Sequence, residues 1–247
     1  MEQTILSVQN LEKTYHTNNL DCPVLKDLNL DVRQGEFAAV MGPSGSGKTT
    51  LLNVLSGFLK ADSGKVLLDG KDILHAQQEE LTQIRQKKLG YVFQDFMLLD
   101  SLTTQENVYL PQVIAGKEQK EMITDTELLF RQFGISDITL KYPAQISGGQ
   151  KQRVAVARAL SNHPLLILAD EPTGNLDSRS GEAVMDAFLK AKEEFGATIL
   201  MVTHDAKAAS RTGRVITLKD GEIRGEWIKN GSDRGFMEEI LHYLGEA

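Results

Sequence analysis

The sequence predicts an α/β fold in which helices flank a largely parallel β-sheet. Short apolar runs alternate with longer segments of helical periodicity, the pattern of βα units. A glycine-rich loop lies between one such run and a helical segment, and another apolar run ends in two carboxylates. Because loops at the carboxyl ends of parallel strands bind ligands in this class, both features predict a functional edge of the sheet.

Five apolar runs of strand length are predicted to form the sheet. They are bounded by glycine or polar residues and are too short for isolated helices. The predicted strands are 37–41, 89–93, 165–169, 198–203 and 214–218.

Two segments are predicted to be helices of the sheet domain, and a third is predicted to be a separate final helix. The segment 50–57 follows the glycine-rich loop, and 184–195 places apolar residues at i, i+3 and i+4, so that one face packs on the sheet. A final helix, 236–244, follows a turn at 231–234 and is interpreted as a docking element. Between these, 101–143 is polar and mostly helical, which predicts a helical lobe inserted into the sheet domain.

Composition excludes several classes of function. The 247 residues include 27 Lys and Arg against 34 Asp and Glu, a net charge of −7, so nothing in the bulk charge favours nucleic acid. No apolar run reaches the roughly 20 residues of a membrane span, and residues 1–4 begin no recognisable secretory signal, which predicts a cytoplasmic protein. Cys22 is the single cysteine, which excludes an internal disulfide and a cysteine-based zinc site.

The strongest motif is a complete G-x-x-x-x-G-K-[ST] loop between a predicted strand and a predicted helix. Its glycines let backbone N–H groups converge on phosphates, and the helix N-terminus adds partial positive charge. Lys48 is predicted to reach the β- and γ-phosphates, and the Thr49 hydroxyl to bind Mg²⁺. The motif alone leaves kinases, GTPases and ATPases open. The candidate nucleotide-binding residues here are Gly42, Pro43, Ser44, Gly45, Ser46, Gly47, Lys48, Thr49 and Thr50.

The predicted strand 165–169 ends in two carboxylates, Asp170 and Glu171. Asp170 is predicted to hold Mg²⁺, directly or through water. A second carboxylate just past the metal ligand can polarise a water for attack on the γ-phosphate. Glu171 is therefore predicted to be the general base, which favours a hydrolase over a phosphotransferase.

The segment 146–153, Ile-Ser-Gly-Gly-Gln-Lys-Gln-Arg, resembles the signature of ATP-binding-cassette (ABC) ATPases, with Ile146 where Leu is usual. It precedes the acidic strand end by about 20 residues, as in that family. A serine hydroxyl and N–H groups at a helix N-terminus form a second anion site. In the family this site closes on ATP held by the other subunit of a homodimer. The residues so implied are Ser147, Gly148, Gly149 and Gln150.

The resemblance extends over roughly residues 6–222 and implies further roles. Tyr15 resembles the aromatic that stacks on adenine, and Gln94 resembles the glutamine that contacts Mg²⁺ and the attacking water. Asp177 closes a loop, 175–177, that resembles the one crossing to the other subunit. His204 resembles the histidine that holds the γ-phosphate. Together with Glu171, the implied catalytic residues are Gln94 and His204, and the implied metal ligands are Thr49, Gln94 and Asp170.

The resemblance also implies the domain organisation. A P-loop NTPase, RecA-like lobe is expected over about 1–94 and 162–228, with an antiparallel β region near the N-terminus. A helical subdomain is expected over about 95–161. These form a nucleotide-binding domain, 1–230, followed by a C-terminal helix, 231–247.

Within the family, the segments 169–177 and 203–216 resemble a branch that includes macrolide-efflux and lipoprotein-release ATPases, and most of all bacitracin-type peptide-resistance members. This implies an ATPase at the cytoplasmic face of a bacterial membrane, powering a separate permease with a large extracellular domain and a sensor kinase. A chromosome or DNA-repair ATPase is disfavoured because 94–147 lacks the long heptad insertion of such proteins. A cell-division ATPase without transport stays open.

Overall fold

The computed structural model describes residues 3–17 and 20–246. The strands are β1 (Thr4–Thr17), β2 (Leu20–Arg33), β3 (Phe37–Met41), β4 (Ser63–Leu68), β5 (Lys71–Asp72), β6 (Leu89–Val92), β7 (Leu166–Asp170), β8 (Ile199–Thr203), β9 (Arg214–Lys219) and β10 (Glu222–Ile228). The helices are α1 (Lys48–Leu55), α2 (Gln78–Lys87), α3 (Thr104–Ile114), α4 (Gln119–Gln132), α5 (Gly148–Leu160), α6 (Ser178–Phe195), α7 (Ala206–Ser210) and α8 (Asp233–Glu246).

The chain divides into two compact units. One comprises Met1–Leu81 with Leu200–Ala247, and the other comprises Thr82–Ile199. The division of the sequence into lobes at 94 and 162 stays a prediction.

An antiparallel sheet of strand order β2-β1-β4-β5 forms part of the first unit. β1 pairs antiparallel with both β2 and β4. Along the second half of β2, Leu28, Leu30 and Val32 are buried and alternate with exposed polar residues, because successive side chains of a strand point to opposite faces. The antiparallel region near the N-terminus is thus confirmed.

The first unit also contains the strand run β10-β9-β3-β8. β3 runs parallel to β9, and all five of its residues are buried, as expected of a central parallel strand. β9 and β10 form a hairpin whose turn places Asp220 and Gly221 at positive φ, the conformation that a two-residue hairpin turn requires.

In the second unit, β6 and β7 pair in parallel. Helix α6 buries one face through residues at helical spacing, including Val184, Ala187, Phe188 and Ala191, as predicted. The polar insert is helical, since it contains α3, α4 and two short 3₁₀ turns. Among the helices of the described ranges 3–17 and 20–246, none is long and apolar enough to cross a membrane.

The predicted strands and helices are confirmed, with their ends displaced by up to six residues, the largest difference being the start of α6 at Ser178 rather than at residue 184. The helix after the glycine-rich loop begins at Lys48 rather than at residue 50, because Gly47 at φ 105° turns the chain directly into the first helical turn. The last helix begins at Asp233, three residues before the predicted start. The predicted α/β architecture with a helical insert is confirmed.

Candidate nucleotide-binding site

The glycine-rich loop connects β3 to α1 in a conformation that only glycine adopts readily at two positions. Gly45 has φ +82° and Gly47 has φ +105°. A Cβ on Gly47 would lie 2.8 Å from the Val24 carbonyl oxygen, so the backbone passes close to β2 as well. The loop is therefore shaped by glycine where backbone N–H groups must turn toward a common point.

Lys48 and Ser46 give this loop the chemistry of an anion site. The Lys48 ammonium donates to the carbonyl oxygens of Gly42, at 2.8 Å, and Pro43, at 3.0 Å, and only 7% of the residue is exposed. Within the described part of the chain, the buried Ser46 hydroxyl finds no hydrogen-bond partner. A buried polar atom without a partner calls for a ligand or water, and a phosphate oxygen accepts from both groups. The loop thus fits a nucleotide phosphate chain.

Tyr15 lies beside the start of α1. Its hydroxyl oxygen is 3.4 Å from the Thr50 hydroxyl oxygen, and 42% of the residue is exposed. The Lys13 ammonium is 5.8 Å from the ring centroid and is held by Asp62 at 2.8 Å. An exposed aromatic face at the edge of the phosphate loop can stack on a planar base.

His204 follows β8 and lies near the same loop. It lines a cavity of about 500 Å³ to which Gly42 and Pro43 also contribute. Asp205, the next residue, caps α7 by accepting from the Lys207 backbone N–H at 2.9 Å, which fixes where α7 begins. The first unit therefore brings together the phosphate loop, Tyr15 and His204.

The second unit carries the acidic strand end. Asp170 is the last residue of β7, and Glu171 follows at φ +43°, a left-handed conformation that is uncommon for a residue with a side chain. Burial, with a contribution from the Asp170 carboxylate, raises the pKa of Tyr91. The strain at Glu171 lies where the sequence predicts the general base, and strained backbone is concentrated at functional sites.

Gln94 is held by the loop that follows the acidic pair. Its Nε2 donates to the Asn175 side-chain oxygen at 3.3 Å, and Asn175 donates in turn to Asp95 at 2.7 Å. A Cβ on Gly174 would approach Gln94 Nε2 to 3.2 Å. The carboxamide of Gln94 is thus linked to the segment that begins at Glu171, within one unit.

The signature segment begins α5 with a capping box. Ser147 Oγ accepts from the Gln150 backbone N–H at 3.3 Å, and Gln150 Oε1 accepts from the Ser147 backbone N–H at 3.0 Å. A Cβ on Gly149 would lie 2.8 Å from Ser180 Cβ in α6, and one on Gly148 would lie 3.1 Å from Leu176. The two glycines therefore let the loop before α6 pack directly on the signature.

Asp177 caps α6, a role that the sequence reasoning did not assign to it. Its carboxylate accepts from the backbone N–H groups of Arg179 and Ser180, each at 3.1 Å. Hydrogen bonds from Ser180, above all, lower the pKa of Asp177. The sequence does carry a signal for this role, because an aspartate just before a segment of helical periodicity is a typical N-cap.

The substitution Asp177→Ala is expected to destabilise the second unit, and the difference from the parent chain should depend on pH. Because folding lowers the Asp177 pKa, its stabilisation is present above the unfolded value, near 3.9, and is lost as pH falls through the lower folded value. Urea unfolding at pH 7 and at pH 3 checks this. Asp177→Asn keeps a capping oxygen but does not titrate in this range, so it should share the pH-dependent part of the loss and less of the pH-independent part. A loss in Asp177→Ala that is equal at pH 7 and at pH 3 would contradict the assignment.

Arg158 is a residue of this region that the sequence reasoning missed. Its guanidinium donates to the carbonyl oxygens of Phe96, at 2.9 Å, and Met97, two consecutive residues at positive φ just after Gln94. Burial lowers the pKa of Arg158 to about 10. Nothing in the sequence marks this arginine, because its partners are backbone oxygens 61 and 62 residues away.

Comparison with known proteins defines the class. The ABC transporter family profile matches residues 25–174. The chain is 43% identical over 242 residues to the bacitracin export ATP-binding protein BceA of Halalkalibacterium halodurans, covering 98% of this chain and 96% of that protein. It is 42% identical over 224 residues to the lipoprotein-releasing system ATP-binding protein LolD of Shewanella oneidensis, covering 91% of this chain and 97% of that protein.

A solved structure of an ATP-binding cassette has the same fold as this chain. The ATP-binding cassette MJ0796, in a dimeric post-hydrolysis state bound to ADP and Pi, superposes with a TM-score of 0.83 at 40% identity, covering 92% of this chain and 100% of that one. The fold and its phosphate loop define a nucleotide-hydrolysing cassette. The chain belongs to the ABC transporter family and is an ATP-binding, ATP-hydrolysing subunit.

Proposed function

We propose that this ATPase powers a separate membrane permease in resistance to, or export of, bacitracin-like antimicrobial peptides. The observation that carries the proposal is the 43% identity, over nearly the full chain, to a protein whose name states bacitracin export. The proposal also includes a homodimer, because the cassette MJ0796 is dimeric. In this proposal the ATPase lies at the cytoplasmic face of the membrane. The permease has a large extracellular domain and is associated with a sensor kinase.

In this proposal the phosphate loop, from Gly42 to Thr50, holds the ATP phosphates, and Tyr15 stacks on the adenine. Thr49, Gln94 and Asp170 hold Mg²⁺, which neutralises charge on the phosphates. Within the described residues, no group of three or more His, Cys, Asp or Glu side chains is arranged for a metal. The proposed ligands comprise a hydroxyl, an amide and one carboxylate, a set typical of Mg²⁺ bound with substrate phosphates.

Glu171 removes a proton from the attacking water, and His204 binds the γ-phosphate oxygens. Each ATP lies between the phosphate loop of one subunit and the segment Ser147 to Gln150 of the other, where the serine hydroxyl and helix N-terminus supply a second anion site. Asp177 belongs to the loop that meets the other subunit. Closure on two ATP molecules then moves the helical insert, and the permease with it.

The Arg158 contact supports this coupling. It joins the signature helix α5 to the loop at Phe96 and Met97, directly after Gln94. A change at Gln94 can therefore reach α5 through the backbone from Gln94 to Phe96 and then through the Arg158 hydrogen bonds, all inside the second unit.

A second candidate is lipoprotein release, favoured by the 42% identity to LolD. Macrolide efflux and a cell-division complex without transport use the same catalytic residues and stay as alternatives. Co-purification from the native membrane separates them: a large-loop permease with a sensor kinase supports peptide resistance, and a lipoprotein-releasing or division complex overturns it.

The sandwich dimer is tested by mixing two inactive chains, Lys48→Ala and Ser147→Arg. Each homodimer has two defective sites, but a mixed dimer has one site in which both defects coincide and one site with an intact Lys48 and an intact Ser147. We expect ATPase activity to rise on mixing, well above the sum of the separate activities. Activity that stays at that sum would contradict shared sites.

Two matched mixtures control the experiment. Lys48→Ala mixed with Lys48→Arg carries no intact phosphate loop and should gain nothing. Ser147→Arg mixed with Gln145→Arg tests whether an arginine introduced two residues before Ser147 changes ATPase activity in the same way as an arginine at Ser147 itself. Light scattering under the same conditions reports whether mixed dimers form.

A further inference from the structure

A cavity of about 500 Å³ lies in the first unit beside the phosphate loop, and of its lining residues only Gly42, Pro43 and His204 have a role in the proposed function. One wall is the aromatic stack of Trp227 on β10 and Tyr243 on α8, with ring centroids 4.8 Å apart and planes 29° apart. Its size is typical of small-molecule sites, which range over about 300–1,000 Å³. The other lining residues are Met41, Gly42, Pro43, His204, Thr217, Leu218, Lys219, Arg224 and Leu244.

The charge of the lining is opposite to that of the chain. The protein carries 34 Asp and Glu and a net charge of −7, yet none of the described residues that line this cavity is acidic. Lys219 and Arg224 bring positive charge to it. Glu222, outside the lining, pairs with Arg224 at 3.0 Å and offsets part of that charge. The cavity therefore favours an anion.

The apolar and aromatic lining residues determine what the uncharged part of the ligand can be. Met41, Leu218 and Leu244 supply apolar surface, and the aromatic pair supplies flat faces. Flat rings stack on indole and phenol faces with their own planes parallel and offset. A ligand that satisfies both the walls and the cations has a planar aromatic body and an acidic group.

The position of the cavity links its occupant to catalysis. Gly42 begins the phosphate loop and is packed so tightly on β9 that an added Cβ would lie 2.0 Å from the Leu218 carbonyl oxygen. His204, the residue proposed to bind the γ-phosphate, forms part of the wall. Lys48 and Thr49 are not among the lining residues, so we expect a ligand here to contact His204 and the first residues of the loop outside the place proposed for the β- and γ-phosphates.

We propose that this cavity is a regulatory site for a planar aromatic anion, which slows ATP hydrolysis without competing with ATP. The binding part stands on the cavity alone. The effect on hydrolysis rests on the proposed function of His204.

The probe is 1-anilinonaphthalene-8-sulfonate, with its uncharged analogue 1-anilinonaphthalene as the matched ligand. Trp227 is the single tryptophan of the chain, so energy transfer from its emission to the dye reports binding near this wall. We expect saturable one-site binding. The double substitution Lys219→Ala with Arg224→Ala should weaken the sulfonate about tenfold and leave the uncharged analogue unchanged, because it removes only charged hydrogen-bond donors.

Tyr243→Ala should weaken both dyes, because it removes a wall that both contact. Two exposed controls should change neither: Arg234→Ala, a cation of α8 outside the lining, and Tyr142→Ala, a tyrosine of the second unit. Unchanged sulfonate binding in the double variant overturns the site. So does displacement of the dye by MgATP in proportion to ATP concentration, since that outcome places the dye in the nucleotide site.

Steady-state ATPase assays test regulation separately. Saturating sulfonate should lower kcat severalfold at constant KM for ATP, and the double variant should lose this inhibition. A rise in KM at constant kcat would overturn the non-competitive mode. A chain that binds the dye as expected but shows no change in kcat would refute the regulatory step and leave the sandwich dimer untouched, because the mixing experiment tests that dimer independently.

Discussion

Replacing Glu171 by Gln is expected to lower ATP turnover by at least about a hundredfold while ATP binding persists. Glutamine has the same shape as glutamate, so the backbone at residue 171 can keep its left-handed conformation at φ +43°. The hydrogen bond that the Gly174 N–H donates to the carbonyl oxygen of residue 171 can also be kept. What disappears is the carboxylate that accepts a proton from water. Because ATP stays bound and uncleaved, the variant should accumulate as an ATP-dependent dimer.

Two measurements check this result: phosphate release at saturating MgATP, and size-exclusion chromatography with and without ATP. Glu194→Gln removes one exposed carboxylate from α6 and serves as the control for charge. Turnover at the parent level in Glu171→Gln would remove Glu171 from its proposed role. Loss of both turnover and ATP binding would indicate that the residue supports the fold instead.

The parts of the fold that the sequence predicts well are those set by short-range rules. The run 37–41 is apolar throughout and forms β3, buried at every position. The phosphate loop follows from glycine and lysine at fixed spacing, and α6 from its apolar periodicity. In each case, one segment carries the whole signal.

The parts that escape prediction depend on partners distant in sequence or on broken periodicity. β1 and β2 are each 14 residues long, but their pairing shifts register several times, and Asn10 and Asp27 adopt positive φ, so regular alternation is confined to the second half of β2. Arg158 binds backbone oxygens, which any sequence supplies. The cavity beside His204 exists only because α8 returns to β10, a long-range contact that no local pattern encodes.

The substitution Gly42→Ala is expected to destabilise the first unit by about 3 kcal/mol, the upper end for overpacking a tight interior. Gly42 has no positive φ, so the cost is one of space rather than of backbone conformation. The new Cβ would meet the Leu218 carbonyl oxygen at 2.0 Å and the Ser46 hydroxyl at 2.8 Å. The first of these belongs to β9, which cannot yield without disturbing its pairing with β3.

The same displacement should weaken ATP binding at least tenfold, since Gly42 also accepts from the Lys48 ammonium. Urea unfolding and equilibrium binding of a fluorescent ATP analogue measure the two effects. Gly235→Ala, in α8, is the matched control, because its Cβ would meet only the Ser232 hydroxyl, at 3.4 Å, and alanine favours a helix. If Gly42→Ala were as stable as Gly235→Ala, β9 would have to move away from the phosphate loop at little cost, and the cavity lined by both elements would then change shape with it.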